Sequence, residues 1–263
     1  MKQGIVISIS LVLVFLVCVP LAAQPSTRSI ETIVIDSFDN ETLNVSKPVS
    51  GDKTADTAKV QVKWTSGASK FVEEGFPQVK YVDGIPNALR AVRDPEAPAP
   101  KVLGVEVAFQ RKGDNWFEVY PAPSEGSEGT GGRANTEIPL TGTVKQLDFW
   151  VWGGNYRYTL EVLVRDANGG VHILPAGNLA FYGWKNVVIN IPTWIPQKSR
   201  LRSGPESMNF VGFRVRSDPT EAVDNFVIYF DQLKYSTSVL SNIFDGYELR
   251  KFDQQTAASG GAN

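Results

Sequence analysis

The chain predicts an all-β fold: an antiparallel β-sandwich or jelly roll with long loops and a mobile C-terminal tail. Three observations lead there. Apolar residues recur with period two between clusters of turn residues, the mark of half-buried strands. Gly 23 and Pro 16 against Met 2 and His 1 favour strands and turns over helices. No amphipathic helix pattern precedes Val239. A succession of about ten short strands with turns between them belongs to a sandwich or jelly roll. One domain over residues 24–252 is an ordinary size for that class.

The first residues read as an address. Lys2 precedes an apolar run from Ile5 to Val19, then Pro20 and the small-residue exit Leu21-Ala22-Ala23. That layout predicts a secretory signal over residues 1–23, cut after Ala23. The run falls short of the roughly 20 apolar residues of a membrane helix, and no second run follows, so stable membrane insertion is not expected. Cys18 offers a lipoprotein alternative, weakened by Val17 where a small residue is required. Cleavage removes the sole cysteine, so no disulfide staples the exported protein. It also removes Lys2, making the chain slightly more acidic than its formal −2.

Strands follow in order. Ile33 and Ile35 mark the first, within Thr32–Asp36; Val60, Val62 and Trp64 mark the second. Leu103, Val105, Val107 and Phe109 share a face of the third, opposite Glu106. Asn115 to Tyr120 sets Phe117 beside Val119. Pro121 to Asn135, rich in Pro, Ser, Glu and Gly, reads as a mobile loop. Leu147, Phe149 and Val151 then alternate with Asp148, Trp150 and Trp152. Gly153-Gly154-Asn155 predicts a tight hairpin turn to a returning strand, Tyr158 to Arg165, because Gly and Asn accept positive φ. Asp166 to Gly170 predicts a second turn. Val187, Ile189 and Ile191, then Val211, Phe213 and Val215, continue the alternation. Asn225 to Tyr235 is apolar on both faces and predicts a central strand covered on both sides. Val239 to Phe252 reads as a short helix or an extended arm. The polar residues 253–263 form the mobile tail.

Composition restricts the chemistry. A near-neutral charge balance argues against nucleic acid, and no basic amphipathic segment suits a membrane surface. One His and one Cys cannot build most metal sites or a Cys–His pair. His172 reads as a strand residue opposite Val171 and Ile173, and no Gly-x-Ser-x-Gly elbow supplies a nucleophile. Asp148, Glu161, Asp224 and Asp231 are available for a hydrolytic carboxylate pair, though a sandwich needs solvated acids anyway. Asp36, Asp39 and Asp231, near the ends of the first and last strands, are the calcium candidates. Asn40-Glu41-Thr42 and Asn44-Val45-Ser46 match a glycosylation pattern but read as turns. No cofactor is expected.

The most functional-looking feature is the Trp150/Trp152 face. With Arg157 and Glu161 on the expected hairpin partner, it makes an aromatic platform ringed by charge. Arg214 and Arg216 share a face of their own strand. Such groups suit protein association or sugar stacking; the competing structural reading is that a loop or the N-terminal segment covers the rings.

Long Trp-rich segments carry a likeness to a known family. Leu147–Tyr156, Leu160–Asp166, Gly183–Asn186 through Asn190–Pro192, and Val223–Gln232 resemble the spirochete flagellar filament outer-layer (sheath) proteins, and the Ser37-Phe38-Asp39 opening fits as well. The likeness implies a non-enzymatic coat protein of the periplasmic flagellum. It further implies, as partners, a core of separate flagellins and other sheath proteins or copies of itself. Such a sheath influences filament stiffness and curvature, and so motility. The resemblance assigns no contact residues; Trp150, Trp152, Arg157, Glu161, Arg214 and Arg216 come from the alternation and charge pattern alone. The alternative is a secreted carbohydrate-binding jelly-roll module, since one architecture hosts many functions.

Overall fold

The structure is a computed structural model and describes residues 28–48, 57–124, 136–198 and 207–240. The chain opens with β1 (Arg28–Asp36), β2 (Leu43–Pro48), β3 (Thr57–Ala68) and β4 (Gln78–Asp83), then one helical turn, α1 (Asn87–Arg90). Next come β5 (Lys101–Val107), β6 (Trp116–Pro123) and β7 (Ile138–Leu140). The remainder is β8 (Thr143–Gly154), β9 (Thr159–Arg165), β10 (Val171–Asn178), β11 (Tyr182–Asn190), β12 (Met208–Arg216) and β13 (Phe226–Leu240). The signal region and the tail lie outside the described residues, as do most of the Pro121–Asn135 loop and of the Val239–Phe252 arm.

Two antiparallel sheets result. The first runs β11-β8-β13-β5-β4, with β1 paired to the second half of β13; the second runs β10-β9-β12-β6-β3-β2, with β7 on β12. Alternation decides which side chains lie between them. Leu147, Phe149 and Val151 point inward from β8, and Phe226, Ile228 and Phe230 from β13. Phe117 and Val119 from β6, Leu160, Val162 and Val164 from β9, and Phe213 and Val215 from β12 meet them from the other sheet. Each such side chain contributes about 1.5–3 kcal/mol by leaving water. The sandwich expected from the sequence is the fold observed.

The adjacency of two strands differs from expectation. Gly153-Gly154-Asn155 does not close a hairpin: β8 belongs to the first sheet and β9 to the second, so the chain turns a corner between layers. Asn155 takes φ 63°, and its N–H donates to the Phe181 carbonyl at 2.8 Å. A Cβ on Gly153 would lie 2.8 Å from that same carbonyl, so the corner requires glycine. Period-two alternation says which side of a strand meets the core. It does not say which sheet holds the strand.

Asn40–Ser46 is not all turn either, since β2 starts at Leu43 and pairs along β3. Only Val45 is buried among its described side chains, too little apolar signal to reveal an edge strand. β13 is central, between β8 and β5. Its outer side chains Val227 and Tyr229 are half-buried rather than fully covered. A bulge between Asp231 and Lys234, with Gln232 at φ 51°, then returns Leu233 and Tyr235 to the core.

Candidate functional surfaces

The six expected interface residues divide between opposite faces of the sandwich. Trp150 and Trp152 point outward from β8 and are half-buried. Trp152 stands in register with Trp184 on β11 and Tyr229 on β13. Its ring meets the Tyr229 ring edge-on, centroids 5.4 Å apart. Tyr229 in turn lies over Gly104 of β5, where a Cβ would come within 2.9 Å of the ring. Trp150 occupies the next row, opposite Asn186 and Asp231. Below it Asp148 accepts from Asn186 Nδ2 at 2.7 Å and faces Lys234 Nζ at 3.6 Å. The outcome is an aromatic band, Trp184–Trp152–Tyr229, with polar groups along one side. Tyr229 was readable from parity, because it sits between the buried Ile228 and Phe230, whereas Trp184, between half-buried Gly183 and exposed Lys185, was not.

Arg157, Glu161, Arg214 and Arg216 belong to the other layer and its rim, away from those indoles. The Arg157 backbone N–H and Nε both donate to Glu221 Oε2, at 3.1 and 3.0 Å. Nη2 of the same residue donates to Thr220. The Ala222 N–H, followed by the Arg157 donors, holds the Glu221 carboxyl below the usual carboxylate range. Arg214 donates through Nε and Nη2 to buried Glu118 at 2.8 and 2.6 Å. Arg216 reaches both oxygens of Asp114 at 3.0 Å, and its Nη1 stands 4.0 Å from Glu161 Oε1. Sequence reasoning missed the paired acids Glu118, Asp114 and Glu221, because cross-strand partners lie far apart along the chain.

The calcium candidates do not assemble a cation site. Asp36 accepts the Phe38 N–H at 2.8 Å on one oxygen and Trp64 Nε1 at 2.7 Å on the other. Burial nonetheless pushes its carboxyl upward. Asp39 accepts the Lys101 N–H at 3.1 Å and faces Arg93 at 3.7 Å. Asp231 is buried, and desolvation raises its pKa to about 7. Oxygens already committed to N–H donors are poor ligands, and among the described residues no three His, Cys, Asp or Glu side chains converge for a metal.

His172 packs edge-on to Trp194, and its Nε2 lies 2.6 Å from Asp166 Oδ2. Burial raises the Asp166 pKa, but hydrogen bonds from His172, Gly170 and Asn168 outweigh it and leave the carboxyl below its ordinary value. Of the hydrolytic candidates, Asp148 is tied to Asn186 and Lys234, Asp224 is exposed and Asp231 is buried. Glu161 lies on the opposite sheet from Asp148 and Asp231.

The model of the flagellar filament outer layer protein FlaA matches residues 46–242, which take in strands of both sheets. The chain belongs to the flagellar filament outer layer protein family. Relatives within it include a flagellar filament outer layer-like protein of Brachyspira hyodysenteriae, 30% identical over 138 residues, covering 52% of this chain and 58% of that protein. The flagellar filament outer layer protein of Treponema pallidum is 34% identical over 118 residues, covering 41% and 34%. The Borreliella burgdorferi protein of that name is 27% identical over 157 residues, covering 55% and 46%. The chain thus spans about half the length of the curated relatives it matches. Among solved structures, a family 11 carbohydrate-binding module of a cellulosomal cellulase from Clostridium thermocellum aligns with TM-score 0.40 and 10% identity, over 80% of this chain and 96% of that one. Membership confirms the resemblance carried by the Trp-rich segments. No helix of the described residues is long and apolar enough to cross a membrane.

Proposed function

We propose that this protein is a structural sheath component of a periplasmic flagellar filament. It is exported by residues 1–23, coats a core of flagellins beside other sheath subunits, and modulates filament stiffness, curvature and motility. The observation that carries this reading is the family match over residues 46–242. The role is one of association, not catalysis.

The contact face is the outer surface of the β11-β8-β13 sheet. Trp150 and Trp152 are its anchors, extended by Trp184 and Tyr229. Large amphipathic rings supply contact area at low entropic cost, and many copies along a repeating polymer multiply weak contacts through effective concentration. Arg157 and Arg214 already hold carboxylates of their own chain, so they have less to offer an incoming partner, while Arg216 holds Asp114 through Nη2 alone.

The test is co-purification of the chain with periplasmic flagella from cells carrying Trp150→Ala together with Trp152→Ala. The unaltered protein sediments with filaments; the double variant folds and is exported but remains in the periplasmic extract. An unaltered protein found free beside bare filaments contradicts the reading.

A further inference from the structure

At the rim of the second sheet, the β9 and β12 strands and the segment after β12 enclose a polar groove of about 400 Å³. Its walls include Asp114, Thr159, Glu161, Asn178, Arg216 and Ser217. The charges within it are largely matched: Arg216 is bound to Asp114, and Arg157, also on the wall, is bound to Glu221. One acceptor is left over. Glu161 Oε2 is buried and has no hydrogen-bond partner among the described residues, whereas buried carboxylate oxygens are ordinarily satisfied. The sister oxygen, Oε1, stands 4.0 Å from Arg216 Nη1, too far for a hydrogen bond. Nearby, Asn178 accepts the Ala180 N–H on Oδ1 at 2.6 Å, which leaves its side-chain amide donors for another acceptor. Trp116 pairs in register with Arg216 on this same outer face and is 38% exposed.

We propose that this groove binds a saccharide, with hydroxyl groups bridging Glu161 and Arg216 and a sugar ring against Trp116. A hydroxyl donates to a carboxylate and accepts from a guanidinium at once, so it completes both sides of the open Glu161–Arg216 pair. A charged ligand would have to displace Arg216 from Asp114. An apolar one would leave the Glu161 oxygen unsatisfied. An exposed indole beside planar polar side chains offers the CH-rich face of a pyranose an apolar surface. The site lies across the sandwich from Trp150 and Trp152, and the inference stands whether or not the protein coats a filament.

The experiment is NMR titration of the full chain, labelled with nitrogen-15, using separate oligosaccharide probes. One arm uses soluble muropeptides from a cell-wall digest, a second oligosaccharides released from purified filaments, and a third neutral hexose oligomers. Saturable shifts at the Trp116 indole and the Asn178 amide are expected in at least one arm, and the responding arm identifies the source. Trp116→Ala and Glu161→Gln each weaken binding by about tenfold or more, while Trp152→Ala leaves it unchanged. Thermal melting establishes that each variant is folded. Absence of saturable shifts in every arm up to about 10 mM, near the weak limit of specific binding, overturns the proposal. So does binding that survives both groove substitutions in folded protein.

Discussion

Phe213 and Phe230 stack face to face across the two sheets, with centroids 4.3 Å apart and planes 16° from parallel. Phe149 closes on both rings, at 5.0 Å from Phe213 and 6.4 Å from Phe230. Strands β8 and β13 of one sheet and β12 of the other are thereby fixed together at the centre of the sandwich, on the inner side of the sheet whose outer side carries Trp150.

Truncating that centre is expected to be costly. Phe213→Ala removes a fully buried ring with neighbours in both sheets. It should destabilise the fold by about 3–5 kcal/mol, read from urea unfolding monitored by circular dichroism. A loss below about 1 kcal/mol would place the packing centre elsewhere.

Gly104 supports the aromatic band from below. Gly104→Ala puts a methyl within 2.9 Å of the Tyr229 ring and 3.4 Å of the Lys80 carbonyl. The ring must lift, which should cost about 1–3 kcal/mol and alter the near-ultraviolet dichroism of the Trp152–Tyr229 pair. An unchanged aromatic spectrum would contradict the close approach.

Asp231 should leave a signature in stability against pH. Its pKa rises from 3.8 to about 7 on folding, chiefly through desolvation. The folded state therefore holds a proton that the unfolded state has released between about pH 4 and pH 7. The Asp231 contribution is complete below about pH 4 and is lost as pH rises through 7. Asp231→Asn should remove that slope and stabilise the protein at pH 8, on the order of 2 kcal/mol, measured by denaturant titration across pH. Equal pH slopes in the two proteins would contradict it.

Side-chain parity was the most legible part of this sequence. It correctly turned Phe149 and Phe213 inward and Trp150 and Arg214 outward, because a pleated strand sends successive side chains to opposite faces. Strand adjacency was not legible. Leu147–Val151 and Tyr158–Val162 both alternate and are joined by a Gly-Gly-Asn segment, yet that segment crosses between layers instead of forming a hairpin. This error placed Arg157 and Glu161 beside indoles that they do not neighbour. Edge strands were missed where burial is shallow, as in β4, where pairs of half-buried residues are each followed by an exposed one and none is buried. The unsatisfied oxygen of Glu161 has no counterpart in composition or spacing; it exists only once β9 and β12 lie side by side.

The most direct measurement of the docking face is photo-crosslinking in cells, with a photoreactive amino acid placed at Trp152 or, on the opposite sheet, at Trp116. Capture of a flagellin core subunit from position 152 and not from position 116 is the expected result. Capture from position 116 alone, or no flagellin captured from either position on intact filaments, would contradict the account.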